Sequence, residues 1–399
     1  MTVAGIIAEY NPFHNGHQFH IEETRRLTGC THVIVVMSGS FVQRGEPALA
    51  DKHLRTGMAL RHGADLVLEL PCAYATASAE RFAMGAVEML DRLGIVDILS
   101  FGSENVDLEQ IAQTADLLCE ETPEFSQKLR KGLRAGLTFA QARATALPAA
   151  YAALLSQPNA LLGVEYCKAL SKRHSAIRPL AVLRRGGGHH DTALTGQYAS
   201  ASALRSLFQN TFADYTDSCG IKKELLQHLS EFMPPDAAEI LYEQHIQNGL
   251  VFADDFSQLL QHQIFRQPDD VLLACPDISP ELLNRIRHHQ YAFDSFSQFA
   301  GLLKTKNMTH SRIRRALLQI LLDIHDYPPI RNVRVLGFRR GSASLLSEIH
   351  RKGYLHLLTS QEGSTYDVSA DVLYDMVQRR KTGRNMIREW SKPLQIIDI

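Results

Sequence analysis

Short apolar runs alternate with amphipathic stretches along the first half of the chain. β-branched and apolar residues dominate five runs, at 3–8, 32–37, 64–70, 96–101 and 178–183, and each run predicts a buried strand. Helical periodicity fills the intervals between the first four runs, up to about residue 27, from 50 to 61 and from 78 to 93. This alternation predicts an α/β fold with a Rossmann-like, doubly wound parallel sheet.

The carboxyl ends of the predicted parallel strands meet at one edge of such a sheet, where ligands bind in doubly wound folds. The loops that follow these strands are polar or rich in glycine, as in 38–47 and 102–104. We therefore expect the loops to converge on one crevice.

The rest of the chain is mostly helical in pattern. Helices interrupted by prolines cover 107–175 and 207–303, another helix is predicted over 309–323, and strands are predicted near 333–338 and 354–358. We predict three parts, which are a nucleotidyltransferase-like catalytic domain (1–206), a helical region (207–303) and a basic α+β region (304–399).

The composition is that of a folded soluble protein of 399 residues, with 45% hydrophobic and 21% charged residues. No apolar run is long enough to span a bilayer, which predicts a cytoplasmic protein without a membrane partner. The six cysteines form no Cys-x-x-Cys pair. Small buried thiols in a reducing compartment are the favoured interpretation, although sequence spacing excludes neither a disulfide nor a metal site.

The net charge of −1 conceals an uneven distribution of charge. From Lys304 to the end there are 17 Lys and Arg against 9 Asp and Glu, whereas residues 1–303 carry 25 against 34. A basic C-terminal third on an acidic body fits an anionic macromolecule, such as a nucleic acid, held at that end. An ordinary solvated surface is the alternative interpretation.

The segment His14-Asn15-Gly16-His17 follows the first predicted strand and opens the first predicted helix. A helix N-terminus presents unpaired N–H groups and the positive end of the helix dipole, and two imidazoles add donors at the same place. The motif therefore predicts an anion site. His14 and His17 also fit a helix cap and a core-edge residue.

A second helix start, near Ser200, carries Ser202 and, within one turn, Arg205. Hydroxyl groups and a guanidinium at a helix N-terminus are suited to phosphate, although a plain serine cap is the alternative. Three glycines at 186–188 follow Arg184 and Arg185 and predict close approach to a ligand. The adjacent His189-His190-Asp191 does not predict a metal site, because neighbouring side chains rarely converge on one ion.

These two helix starts resemble the paired signatures of the HIGH-type nucleotidyltransferase superfamily, with Ala201 and Ser202 where that superfamily has Ser and Thr. Longer strings resemble the bacterial tRNA(Met) cytidine acetate ligase family, namely 5–17, 37–47, 101–104 and 199–205. Two departures are Ala160, where the family typically has a second asparagine, and Ser40, where asparagine is usual.

The resemblance implies an enzyme that activates acetate with ATP as acetyl-adenylate and then acetylates N4 of the wobble cytidine of elongator tRNA(Met). It implies no use of acetyl-CoA. Mg²⁺ is expected with the triphosphate, without a dedicated protein metal site.

The resemblance also implies roles for individual residues. His14 and His17 are expected to be catalytic and to contact the α- and β-phosphates, and Ser200, Ser202 and Arg205 to bind pyrophosphate. The expected ATP-binding residues are Ile7, Ala8, Glu9, Tyr10, Asn11, Pro12, Phe13, His14, Asn15, Gly16, His17, Gln18, Phe19, His20, Gly102, Asn159 and Arg184.

Basic residues of the C-terminal third are the candidates for binding tRNA, and they are Arg312, Arg315, Arg379, Arg380 and Lys381. Two other functions fit parts of the pattern. An adenylyltransferase that makes a nucleotide cofactor from a small phosphorylated substrate explains the two phosphate motifs but not the basic third. A non-catalytic RNA-binding protein explains the basic third but not the presence of both histidines.

Overall fold

The computed structural model describes residues 1–185, 198–211, 219–359, 365–383 and 389–398. The glycines at 186–188 and the sequence His189-His190-Asp191 lie outside these described residues, so the predictions made for them stay predictions.

A mainly parallel sheet is the centre of the fold, as predicted from the sequence. The strands are β1 (Val3–Ala8), β2 (His32–Ser38), β3 (Phe41–Val42), β4 (Glu46–Pro47), β5 (Leu66–Leu70), β6 (Ile98–Ser103), β7 (Arg178–Leu183), β8 (Asn332–Arg339), β9 (His356–Leu358) and β10 (Gln395–Ile397). The large sheet has the order β10-β8-β5-β2-β1-β6-β7, with β9 paired to β8, while β3 and β4 form a separate antiparallel hairpin.

Helices connect and cover these strands. They are α1 (Asn15–Thr28), α2 (Lys52–Arg61), α3 (Cys72–Ala75), α4 (Ala79–Arg92), α5 (Leu108–Glu120), α6 (Pro123–Arg134), α7 (Phe139–Ala146), α8 (Ala149–Leu155), α9 (Pro158–Lys172), α10 (Ala201–Thr211), α11 (Cys219–Leu229), α12 (Pro235–Asn248), α13 (Ser257–Arg266), α14 (Asp269–Ala274), α15 (Pro280–His289), α16 (Phe296–Leu303), α17 (His310–Leu322), α18 (Ser344–Lys352) and α19 (Thr365–Thr382). No helix in the described ranges is long and apolar enough to cross a membrane.

Alternate side chains of the central strands enter two different cores. Ile34 and Val36 of β2 pack with α4, α5 and α9 on one face, whereas Val33 and Val35 pack with α1, α2 and α12 on the other. This alternation is the two-residue period of a strand buried on both faces, which explains why β2 is apolar throughout.

The C-terminal strands extend this sheet. β8 pairs with β5 in antiparallel register, and β10 pairs with β8 in parallel register, so that residues near both ends of the chain share one sheet. A third core joins α13, α15, α16 and α17 to α19. The boundaries that we predicted at residues 206 and 303 are not tested by these contacts and stay a prediction.

Candidate ATP site

His14 and His17 cap the N-terminus of α1 through a reciprocal pair of hydrogen bonds to the backbone. Nδ1 of His14 accepts from the backbone N–H of Gly16 at 3.0 Å, and Nδ1 of His17 accepts from the backbone N–H of His14 at 3.3 Å. The two rings stack with centroids 3.7 Å apart. Because each Nδ1 accepts a hydrogen bond, the ring proton lies on Nε2 in both neutral imidazoles.

Both histidines are uncharged at neutral pH. Burial, together with the charges of Arg184 and Arg205, lowers the pKa of His14 to about 3. Burial also lowers the pKa of His17 well below its ordinary value, and neighbouring His14 and Arg184 act in the same direction. Each ring therefore offers an Nε2–H donor rather than a positive charge, and no described residue hydrogen-bonds either Nε2.

The loop between β1 and α1 contains a left-handed residue, and its end is hydrogen-bonded to the segment between α11 and α12. Tyr10 adopts a left-handed conformation with φ of 48°, which is uncommon for a bulky aromatic residue. Residues with such backbone strain cluster at functional sites. Asn15 donates from its backbone N–H to the carbonyl oxygen of Phe232 at 2.9 Å and from Nδ2 to that of Glu231 at 3.1 Å. The segment between α11 and α12 thus fixes the start of α1.

Arg205 joins the two helix starts that the sequence singled out. Ser200 caps α10, because its hydroxyl accepts from the backbone N–H of Ala203 at 3.0 Å. One turn later, Nη1 of Arg205 donates to the backbone carbonyl of Asn11 at 2.7 Å, and Nη2 donates to Ser202 Oγ at 3.2 Å. The structure therefore brings the His14 loop and the Ser200 helix into one crevice.

Gly102, Asn159 and Arg184 also come together, at the end of β6. Nη1 of Arg184 donates to Oδ1 of Asn159 at 3.2 Å. A Cβ on Gly102 would lie 3.3 Å from Cγ of Arg184, so a larger residue at position 102 would press against the side chain of Arg184. Asn159 is thus hydrogen-bonded at the end of β6, and the next position is an alanine, so that its ATP-binding role stays a prediction.

Glu104 orients this group, although no role was predicted for it. Its carboxylate accepts from Nδ2 of Asn159 at 2.5 Å and from the backbone N–H of Ala160 at 2.9 Å. It thereby caps the N-terminus of α9, where a negative charge is favourable. The signal in the sequence is the string 101–104, in which Gly102 alone is assigned a role.

Two further carboxylates face the arginines of the crevice. Glu9 accepts from the backbone N–H of Gln43 at 2.9 Å, and burial raises its pKa while Arg44 and Arg205 oppose the rise. Glu46 forms ion pairs with Arg205 at 2.8 Å and with Arg314 of α17 at 3.1 Å. Glu46 and Arg44 carried no predicted role.

The predicted tRNA-binding residues lie in two groups. One group is on α17, with Arg312 and Arg315, and the other is at the end of α19, with Arg379, Arg380 and Lys381. Arg315, with a side chain 12% exposed, forms an ion pair with Asp277 at 2.9 Å, and Arg312 lies 3.5 Å from the carbonyl oxygen of Asp277. Lys381 pairs with Asp255 at 2.7 Å. The remaining two, Arg379 and Arg380, are exposed on the last turns of α19.

One group of carboxylates resembles a metal site by proximity, and it is formed by Asp51, Asp375 and Glu389. The ammonium group of Lys392 already occupies its centre, at 3.0, 3.1 and 2.8 Å from their oxygens. An ammonium ion bound by three carboxylates satisfies their charge, so this group is a buried ion cluster rather than a metal centre.

Comparisons with known proteins agree with this geometry. Residues 1–388 match the profile of the HIGH Nucleotidyl Transferase family, which is the class of protein that the sheet and its two helix starts define. The tRNA(Met) cytidine acetate ligase of Caldanaerobacter subterraneus subsp. tengcongensis is 38% identical over 370 residues, which cover 90% of this chain and 88% of that protein. The ligase of Halothermothrix orenii is 38% identical over 393 residues, covering 90% and 87%. This chain belongs to the tRNA(Met) cytidine acetate ligase family and is an enzyme.

Solved structures give the same result for the fold. Thermotoga maritima TmcAL bound with alpha-thio ATP superposes with a TM-score of 0.88 at 30% identity, covering the whole of both chains. The apo form of the same protein gives a TM-score of 0.90. The Rossmann-like nucleotidyltransferase fold predicted from the sequence is therefore confirmed.

Proposed function

We propose that this enzyme uses ATP and acetate to form acetyl-adenylate and then acetylates N4 of the wobble cytidine of elongator tRNA(Met). The observation that carries the proposal is the hydrogen bond from Arg205 to the carbonyl of Asn11, which places both phosphate-type helix starts in one crevice. Family membership supports the substrates, because the related proteins are named for tRNA(Met), cytidine and acetate.

In the first step a carboxylate oxygen of acetate attacks the α-phosphorus of ATP, and the bond to the β-phosphate oxygen breaks to release pyrophosphate. Negative charge increases on the phosphoryl oxygens in the transition state. The Nε2–H groups of His14 and His17 and the backbone N–H groups at the start of α1 stabilise that charge. Ser200, Ser202 and Arg205 hold the leaving pyrophosphate at the start of α10.

The neutral state of the two histidines suits this role. A neutral imidazole donates one hydrogen bond to a phosphate oxygen. Because it carries no positive charge, it does not compete with the arginines as a counterion of the phosphates. The positive charge that holds the triphosphate then comes from the guanidinium groups of Arg184 and Arg205. Asn159 and Gly102 lie beside Arg184 and complete the ATP site.

In the second step N4 of the cytidine attacks the acyl carbon, AMP leaves, and N4 loses a proton. The base must be unstacked to reach the crevice, which requires the tRNA to be held elsewhere on the protein. We propose that the tRNA is bound by Arg312, Arg315, Arg379, Arg380 and Lys381. Their positions favour Arg379 and Arg380, because those two side chains are exposed and form no ion pair with a described residue, whereas Lys381 pairs with Asp255.

Mg²⁺ enters with the triphosphate in this proposal. Two carboxylates of the crevice, Glu9 and Glu46, face its arginines and do not form an oxygen cage of the kind that binds a divalent ion alone. The acetyl donor is acetate rather than acetyl-CoA, and the reaction takes place in the cytoplasm, where tRNA is found.

The test is to incubate the enzyme with ATP, labelled acetate and purified elongator tRNA(Met), to digest the RNA and to identify acetylated cytidine. Label in cytidine with the wild type, and at least a hundredfold less with His17→Ala, supports the proposal. The control His350→Ala, at an exposed position on α18, should keep full activity. Pyrophosphate release only with another small substrate, or tRNA binding without turnover, would overturn it.

A further inference from the structure

The β3–β4 hairpin connects the crevice to α17. Gln43 in its turn donates its backbone N–H to Glu9 Oε1 at 2.9 Å, and Nη1 of Arg44 lies 3.4 Å from Ser202 Oγ. On the other side, Gly45 adopts φ of +77° and packs against the backbone of Arg314 and Arg315, where a Cβ would lie 2.4 Å from a backbone nitrogen. The hairpin is therefore held in place with its turn directed into the crevice.

Arg44 shares a hydrogen-bond acceptor with Arg205. Ser202 Oγ accepts from Nη2 of Arg205 at 3.2 Å and lies within 3.4 Å of Nη1 of Arg44, so both guanidinium groups reach the same hydroxyl. Burial lowers the pKa of Arg44, the charges of Arg205 and Arg184 add to this, and Glu9 and Glu46 oppose it. Three arginines thus surround the crevice close enough to repel one another.

Glu9, Glu46 and Glu104 offset part of this charge, and Glu9 and Glu46 favour the charged form of Arg44. The carboxylate of Glu46 is divided between Arg205 and Arg314, and that of Glu104 is bound by Asn159 and the N-terminus of α9. The N-termini of α1 and α10 add positive potential at the same place. A site that concentrates guanidinium groups and helix N-termini is complementary to a polyanion.

We propose that Arg44 is a further phosphate-binding residue, which together with Ser202 and Arg205 holds the β- and γ-phosphates of ATP and then the released pyrophosphate. The planar guanidinium binds two phosphate oxygens at once and stabilises the charge that the leaving group gains when the α–β bond breaks. This inference rests on the proposed function for the identity of ATP.

The test compares the affinities of ATP, AMP and inorganic pyrophosphate for the wild type, Arg44→Ala, Arg44→Lys and the control Arg61→Ala, using isothermal titration calorimetry. Loss of a charged hydrogen-bond donor should weaken ATP and pyrophosphate by about ten- to hundredfold and AMP by less than about twofold. Arg44→Lys should recover part of the affinity. Arg61 is exposed at the end of α2, and its replacement should change none of the three.

Two results would overturn the assignment. Equal weakening of ATP and AMP means that Arg44 only maintains the shape of the crevice, and unchanged ATP binding with a raised KM for tRNA means that it contacts RNA. Thermal melting of each variant shows whether it is folded, and Arg44→Lys provides the comparison if Arg44→Ala does not fold. Because pyrophosphate binding needs neither acetate nor tRNA, Arg44 is tested even if the proposed acetylation fails.

Discussion

Arg55 donates a hydrogen bond from Nη1 to the backbone carbonyl oxygen of Glu9 at 2.6 Å. The same fully buried guanidinium donates to the carbonyls of Ser38 at 3.0 Å, Gly39 and Ala50 at 3.0 Å. One side chain on α2 thereby connects the end of β1, where the loop between β1 and α1 starts, to the loop after β2.

Replacement of Arg55 should therefore be costly. Arg55→Met keeps much of the volume but leaves four buried carbonyls without their donors, and we expect the free energy of unfolding to fall by about 3 kcal/mol or more. Urea denaturation measures this change. Arg61→Ala on the same helix should stay within about 0.5 kcal/mol of the wild type. A loss below about 1 kcal/mol for Arg55→Met would show that other donors replace the guanidinium.

Glu104 should act on ATP binding through Asn159. Glu104→Ala removes the acceptor that orients the Asn159 amide, and we expect KM for ATP to rise about tenfold with a smaller change in kcat. Glu104→Gln keeps one carbonyl acceptor and should recover part of the loss. Steady-state kinetics with acetate-dependent pyrophosphate release provides the measurement. If Gln and Ala behave alike, the negative charge rather than the hydrogen bond to Asn159 is what matters.

Stability should decrease in acid partly because of His20. Its Nε2 lies 3.0 Å from Ser100 Oγ, and burial, aided by Arg184, lowers its pKa to about 4. The unfolded chain binds a proton near pH 6.5 and the folded chain does not, so the stabilisation by neutral His20 is present above pH 6.5 and is lost as the pH falls toward 4.

The corresponding experiment measures the free energy of unfolding between pH 7 and 4.5. His20→Gln should reduce the slope of the unfolding free energy against pH, near pH 5, by about 1.2 kcal/mol per pH unit, equivalent to slightly less than one proton taken up on unfolding. Thr24→Val, which loses a 2.7 Å contact with the same Ser100 hydroxyl but does not titrate, should leave the slope unchanged. An unaltered slope in His20→Gln would mean that His20 is protonated in the folded protein.

The two groups of predicted tRNA contacts should behave differently. Charge reversal at both Arg379 and Arg380 should weaken tRNA binding and reduce the slope of log Kd against log salt by about two. Arg315→Ala, which breaks the ion pair with Asp277, should lower stability by about 1–3 kcal/mol and change the salt slope less. Filter binding at several salt concentrations makes this comparison. A salt slope unchanged by the double reversal would show that the tRNA binds another surface.

Local patterns in the sequence were sufficient for the parallel part of the sheet and for both helix starts. Apolar runs such as 32–37 and caps such as Ser200 act over a few residues, so their effect is visible in one stretch of chain. Arg44, Glu46 and Glu104 were not assigned because their roles depend on partners between about 55 and 270 positions away in sequence. The same distance hid the pairing of β8 with β5, since no periodicity specifies which strand lies beside another.

The position of β8 has a consequence for synthesis of the protein. The sheet order leaves β5 without its outer neighbour until residues 332–339 have left the ribosome, about 260 residues after β5 itself. During that interval the nascent chain presents an unpaired strand edge that is apolar at Leu66, Val67 and Leu68, a surface that invites pairing with other chains. Premature termination before residue 332 would preserve this exposed edge, and such fragments should aggregate although the complete loop between β1 and α1 is present.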